Sequence, residues 1–350
     1  MSSNAQKIDG EINEGISPSI KEKAPLILAE IKKAKSILLH CHPSPDPDSV
    51  GSALAMKFAL EQMGKKATVI KGDSEFPREF MHFPGAKDIV QKNFLEIDQS
   101  QFDLFLILDS AMIYMVSRRG DVKFLPTLKT IAIDHHESNG NFAELNLVVP
   151  SCPANCQLLF DIFKIWNITL TPEIAANLFI GMYTDTGAFK YRGVDKHTYE
   201  VVYELVKYIP DVSSLITDME NSSTPGFMAF EGAALSSIEI FFDGKFAFSS
   251  VPLSWMQEKN IRPTEVRTSE VSSFMLTVRD WDFVAAAVEI EPNVIKFSFR
   301  SKNIEKFDVA KLTSSLGGGG HRAAAGLILR TSLADAKKIV VEKAKELYKL

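Results

Sequence analysis

The chain has 350 residues, 45% of them hydrophobic and 24% charged, an ordinary globular composition with room for two domains. Its net charge of −5 argues against a general grip on long nucleic acid, which normally needs a strongly basic face. Short anions are not excluded, because bound cations would reverse the local field.

Cys41, Cys152 and Cys156 form no paired framework and read as buried free thiols of a reducing compartment. No apolar run approaches the roughly 20 residues needed to span a bilayer. The start, MSSNAQKIDGEINEGISPS, lacks the pattern of a signal peptide. The expected setting is the cytoplasm, with no membrane partner.

Residues 1–24 read as a flexible polar tail. From 25 to 208, apolar β-type runs alternate with helical patterns. SILLH (36–40) leads to a helical pattern over 52–64 that stops at Gly64. ATVIKG (67–72), FDLFLILD (102–109) and KTIAID (129–134) are further strands, and 170–185 is a helix with Pro172 in its first turn. This alternation predicts an α/β fold, a parallel sheet covered on both faces by helices. Residues 209–236 read as a helical linker, broken at Asn221-Ser-Ser-Thr-Pro-Gly226. Beyond it, 237–350 predict a smaller C-terminal α/β domain across a cleft from the first. Asp243-Gly244 signals one hairpin, 283–290 and 294–301 form another strand pair, and an amphipathic helix closes the chain.

The acidic motifs fall just after the strands: His42, Asp46 and Asp48; Asp109; and Asp134-His135-His136. Ligands of open parallel sheets gather at the carboxyl ends of the strands, so these motifs and Asp185 are expected to converge. Pro43, Pro45 and Pro47 stiffen the first motif and keep it out of a helix. Extended chain would then send Asp46 and Asp48 to one side, and Gly51-Ser52 would open a helix aimed at the same place. Taken singly, these motifs read as an acidic loop, a polar strand end and turn residues. Burying so many carboxylates together without metal would leave like charges unpaired. Oxygen and imidazole donors in this number suit two hard or borderline divalent metals, which activate water at a phosphoryl group. The reading is a phosphoesterase.

Gly317–Gly320 lets backbone N–H groups approach an anion, the plainer reading being a flexible hinge. His40 is expected to be packed or exposed, His82 and His197 to lie on the surface, and Arg118 and Arg119 to be solvated.

H-x-x-P-D-x-D-x-x-G-S, an Asp closing a second strand, D-H-H, and T-D-T before a Gly resemble the ordered motifs of the DHH phosphoesterase superfamily. G-G-G-G-H-x-x-A-A-G, preceded by S-F-R-S, resembles the C-terminal domain that accompanies one branch. The match runs from about residue 25 to the C-terminus and looks most like the stand-alone NrnA-type proteins, which hydrolyse short oligoribonucleotides and dephosphorylate 3′-phosphoadenosine 5′-phosphate. The resemblance implies a dinuclear Mn(II)-type centre. His42, Asp46 and Asp109 would hold one ion, and Asp48, Asp109, His135 and Asp185 the other, with Asp109 bridging. Asp134 would orient a ligand by hydrogen bonding, and His136 would face the scissile phosphate. Arg300 and His321, with Ser301 assisting and Gly318, Gly319 and Gly320 alongside, would bind the far phosphate or sugar of the substrate.

The expected partners are short oligonucleotides or small nucleotides, not long duplexes, with a homodimer as the candidate assembly. An inorganic pyrophosphatase shares such ligands, but the glycine run speaks against it. A RecJ-type exonuclease would need further DNA-binding domains, and an idle nucleotide-binding module would be expected to have lost ligands.

Overall fold

The computed structural model describes residues 15–191, 193–221 and 223–350, which divide into two compact units with the boundary after residue 222. The first unit runs α1 (Pro18–Lys33), β1 (Ser36–His40), α2 (Pro47–Gln62), β2 (Lys66–Ile70), β3 (Leu104–Leu108), β4 (Lys129–Asp134) and β5 (Leu145–Val148). Four helices follow: α3 (Asn155–Trp166), α4 (Pro172–Asp185), α5 (Lys196–Val206) and α6 (Val212–Glu220). The strands form one parallel sheet in the order β2-β1-β3-β4-β5.

Alternate strand residues serve two cores, as the two-residue repeat of a strand demands. Leu39, Leu106 and Ile133 meet α1–α4 through Ile27, Leu54, Phe160 and Leu178. On the other face, Leu38, Phe105, Ile107 and Ala132 are covered by Phe94, Val116, Val122 and Leu128. Those covering residues come from loops and 3-10 turns of three to five residues, where helices were expected. The α/β class stands, with α-helices on one face among the described residues.

Two boundaries differ from the sequence reading. Residues 18–24, expected to belong to the tail, are helical: α1 begins at Pro18 and buries Ile20, Ala24, Ile27 and Ile31 along one helical face. Residues 1–14 lie outside the described residues. Nor is 209–236 a linker: Val212, Leu215, Ile216 and Met219 of α6 pack on the first unit's core. Phe227, Phe230 and Ala234 of α7 (Pro225–Ser236) enter a core of the second unit. The apolar faces of both helices drive this assignment, and the division falls inside the expected Asn221–Gly226 break.

The second unit continues with β6 (Glu239–Phe241), β7 (Phe246–Val251), α8 (Leu253–Glu258), α9 (Thr268–Met275), β8 (Phe283–Glu291) and β9 (Val294–Ser301). It ends with α10 (Val309–Ser314), β10 (Gly319–His321), β11 (Ala324–Arg330) and α11 (Leu333–Tyr348). The sheet order is β10-β11-β9-β8-β7-β6, antiparallel except for the β7–β8 pair. Phe248, Phe283 and Phe297 pack with α10 and α11 on one face, and Ala247, Val284 and Ala286 with α7, α8 and α9 on the other. Both expected hairpins form, and Asn293 takes the left-handed backbone (φ 60°) that the β8–β9 turn needs. Among the described residues, no helix is long and apolar enough to cross a membrane.

Candidate active site

The sheet reverses its strand order between β1 and β3, and a crevice opens at such a point beyond the carboxyl ends of the strands. His42 follows β1, Asp109 follows β3, and Asp134 ends β4. Asp109 keeps the sheet pairing through its N–H to the Ile133 carbonyl (3.1 Å) while adopting a left-handed φ of 51°. Asp tolerates that region better than most residues, and here it turns the side chain out of the strand alternation.

Asp109 faces two groups of donors. Its Oδ2 lies 4.0 Å from His42 Nε2, which in turn lies 3.2 Å from Asp46 Oδ2. Its Oδ1 lies 3.5 Å from His135 Nε2, which is 3.4 Å from Asp185 Oδ2 and 3.9 Å from Asp48 Oδ2. The structure thus brings together all six expected ligands. His42, Asp46 and Asp109 form one cluster of possible metal donors, Asp48, His135 and Asp185 another, and Asp109, His135 and His136 a third that overlaps both.

The first motif is built differently from the extended loop expected of it. Pro47 does not keep the chain out of a helix; it is the first residue of α2, where its missing N–H costs nothing. Asp46 is the N-cap, accepting from Ser49 N at 2.9 Å, and Asp48 lies inside the first turn. The helix begins five residues before the expected 52, so Gly51 and Ser52 are interior to it. Helix capping, not strand alternation, aims both carboxylates.

Asp48 also caps a second helix. Its oxygens accept from Asn155 N (2.7 Å) and Cys156 N (2.9 Å), the opening N–H groups of α3. The N-cap of α3 is Ala154, which has no capping side chain, so no sequence signal marks this helix start. Gly181 makes room for the arrangement: a Cβ there would sit 2.7 Å from Asp48 Oδ1 and 2.3 Å from Cys156 Sγ.

His135 donates from Nδ1 to the Cys152 carbonyl (3.1 Å), which directs Nε2 to the carboxylates, the orientation metal-binding histidines usually receive. Asp134 accepts from His136 Nδ1 and from Asn139 Nδ2, each at 2.7 Å. It therefore orients His136, where the sequence reading had it orienting a ligand. Neither Asn139 nor the Cys152 carbonyl carries a signal in the sequence.

The electrostatics favour cations. Burial opposes a charge on His135, but Asp109, Asp48 and Asp185 outweigh it and raise its pKa to about 10. Burial likewise opposes a charge on His42, and Asp46 with Asp109 raises it to about 9. Burial, then the charge on Asp109, pushes Asp48 up to about 6. Burial, then the charge on Asp48, pushes Asp185 up to about 8. Asp109 Oδ1 is buried without a hydrogen-bond partner, and His42 Nδ1 likewise. Like charges crowded around an unsatisfied carboxylate oxygen fit divalent cations.

The second unit carries the other expected residues. Arg300 and His321 both stand in register with Ala324, one on each side of it, so they share a row and a sheet face. Ser301 does not join them. It follows Arg300 in the same strand, points to the opposite face and is buried opposite Phe283. Gly319 and Gly320 form an edge strand, not a loop. A Cβ on Gly318 would meet the Gly326 carbonyl oxygen at 2.4 Å, and one on Gly320 the Ala325 Cα at 2.5 Å, so close strand packing explains these two glycines. Gly319 faces open space.

Four remaining expectations resolve simply. His40 is a core residue, set edge-on to Phe105 at 5.2 Å, and burial lowers its pKa to about 3. His197 is not on the surface: it is buried, with Nε2 2.9 Å from Asp161 Oδ1. His82 is exposed, as are Arg118 and Arg119. All three cysteines are free and buried.

The clustered donors suit a phosphoester hydrolase, and comparison with known proteins points to the same class. Residues 36–182 match the DHH family, N-terminal domain. The matched stretch contains all five strands of the first sheet, and over it the chain is similar to DHH-family proteins. Over 345 residues it is 28% identical to a protein of Thermus thermophilus named bifunctional oligoribonuclease and PAP phosphatase NrnA, covering 97% of this chain and 98% of that one. An exopolyphosphatase-related protein from Bacteroides fragilis shares the fold with a TM-score of 0.84 and 24% identity, over 94% of this chain and 98% of that one. RecJ from Thermus thermophilus, solved in complex with Mn2+, superposes with a TM-score of 0.53 at 15% identity, over 94% of this chain and 55% of that one.

Proposed function

We propose that the protein hydrolyses short oligoribonucleotides, 3′-phosphoadenosine 5′-phosphate or dinucleotides at a centre of two divalent cations, with Mn(II) the working metal. The observation that carries this reading is Asp109, whose two oxygens face two separate clusters of donors. His42 and Asp46 complete one, and Asp48, His135 and Asp185 the other. When bound, the cations supply an activated water and neutralise charge at phosphorus. A carboxylate-rich set with some imidazole suits manganese.

The chain's own residues do the rest. Asp48, tied to the N-terminus of α3, and His135, tied to the Cys152 carbonyl, hold fixed positions before any substrate arrives. His136, oriented by Asp134 through Nδ1, acts on the substrate as a proton donor. Burial opposes its charge, but the hydrogen bond to Asp134 raises its pKa, which favours the protonated imidazole that a general acid needs. In the second unit, Arg300 and His321 share one sheet face and offer donors to a phosphate or sugar.

The substrate class is supported by the relatives named for oligoribonuclease and PAP phosphatase activity, which align along most of the chain. The buried free thiols support a reducing compartment, the cytoplasm. Metal-free protein reconstituted with Mn(II) tests the proposal: two equivalents per chain should restore hydrolysis of a dinucleotide. Full activity after exhaustive chelation would overturn it.

A further inference from the structure

The segment after Asp185 holds an unusual backbone. Gly187, Ala188 and Phe189 all have positive φ, at 58°, 57° and 62°. Such a left-handed turn is natural for glycine, but Ala and Phe each adopt it at a cost, and strain of this kind collects at functional sites. The turn is tied down: Ala188 N donates to the Tyr183 carbonyl at 2.7 Å, and Phe189 N to Thr186 Oγ1 at 2.9 Å. Lys190 N and Tyr191 N both donate to the Thr186 carbonyl at 3.0 Å.

The turn folds Tyr191 back over Gly187. A Cβ on Gly187 would lie 2.4, 2.6 and 2.7 Å from Cζ, Cε1 and Cε2 of Tyr191. Three such similar distances put the face of the ring, not its edge, against the glycine. The residue is nonetheless 55% exposed. One face of the ring lies against the glycine, and more than half of the residue remains exposed. Two peptide units separate Gly187 from Asp185, a span of at most about 7 Å, so this platform stands beside the metal-donor cluster. In sequence, Tyr191 also lies between Lys190 and Arg192, and an aromatic among cations suits an anion carrying a flat ring.

We propose that Tyr191 is a stacking platform for the nucleobase next to the scissile phosphate, and hence a specificity residue that selects nucleotides over base-free phosphoesters. The inference rests on the phosphoesterase reading and adds the group recognised. A merely structural aromatic would be buried, as Phe189 is in part against Phe179 and Tyr183.

The test compares wild type, Tyr191→Ala and Tyr191→Phe with Mn(II) on a diribonucleotide and on its abasic analogue. Stacking predicts that Tyr191→Ala raises KM for the diribonucleotide about tenfold, leaves the abasic analogue within twofold, and that Tyr191→Phe behaves as wild type. An equal loss on both substrates would mark a structural role and overturn the proposal, as would no change on either. Absence of wild-type turnover on both substrates would instead remove the phosphoesterase reading, and stacking with it.

Discussion

His136 Nδ1 lies 2.7 Å from Asp134 Oδ1 and 3.7 Å from Asp109 Oδ1, whereas its neighbour His135 approaches Asp109 through Nε2, at 3.5 Å. The two adjacent imidazoles thus present different nitrogens to the same carboxylate. His135 is oriented as a ligand, and His136 is engaged by Asp134. His136→Ala should therefore keep about two metals per chain while losing roughly 10²–10⁴ in turnover, the range of a lost general acid. Metal analysis showing one ion missing would make His136 a ligand.

Asp109 serves both donor clusters, so its loss should not be graded. Asp109→Ala is expected to lower turnover by several orders of magnitude with Mn(II) and to weaken both ions together. The circular dichroism of the fold should persist. Near-normal rates would remove Asp109 from the site.

Gly181 tests the packing beneath Asp48. A methyl group there collides with Asp48 Oδ1 and Cys156 Sγ, both held between α2, α3 and α4. Gly181→Ala should cost about 1–3 kcal/mol, the range for overpacking, seen as a Tm lowered by several degrees. Mn(II) affinity should fall with it. Unchanged values for both would show that Asp48 is not held where the structure places it.

The pH dependence of stability should differ between the metal-free and metal-loaded protein. His42 and His135 have raised pKa values of about 9 and 10, so the stability they add is complete below about 6.5 and disappears as pH rises through 9 to 10. Asp48 and Asp185, raised to about 6 and 8, act in the same direction: their stabilisation is present below about 4 and is lost as pH climbs through 6 to 8. In all four cases the folded state binds the extra proton, so metal-free stability falls with pH. The Tm with chelator should decline between pH 6 and 9, and Mn(II) should flatten the decline by taking the protons' place. A metal-free Tm that rises over this range would contradict these assignments.

Much of the sheet was legible because its strands are uninterrupted apolar runs: SILLH and KTIAID are strands over the expected residues. The metal ligands were legible because each lies near the end of a strand or at one end of a helix. What the sequence hid was mostly long-range. Asp48 caps α3 from 107 residues away, and His197 finds Asp161 at a separation of 36. No local pattern announces either pair. Pro47 looks like a barrier to helix in the sequence, yet it occupies the one helical turn that accepts proline. Ser301 is different, since neighbours in a strand must point apart, and its separation from Arg300 could have been read from the sequence.

Arg300 and His321, placed in one row by the register of β9, β11 and β10, give a separate prediction. If they bind the substrate away from phosphorus, Arg300→Ala and His321→Ala should chiefly raise KM, with smaller effects on turnover. Ser301→Ala should leave the kinetics unchanged. Unaltered KM in both of the first two variants would take this face out of substrate binding.

The most direct measurement is a hydrolysis panel with Mn(II): RNAs of two to five nucleotides, 3′-phosphoadenosine 5′-phosphate, pyrophosphate and a long single strand, ranked by kcat/KM. The account predicts fast turnover of the short RNAs or of 3′-phosphoadenosine 5′-phosphate, declining with length, and poor turnover of pyrophosphate. Equal or greater efficiency on pyrophosphate or on the long strand would contradict it.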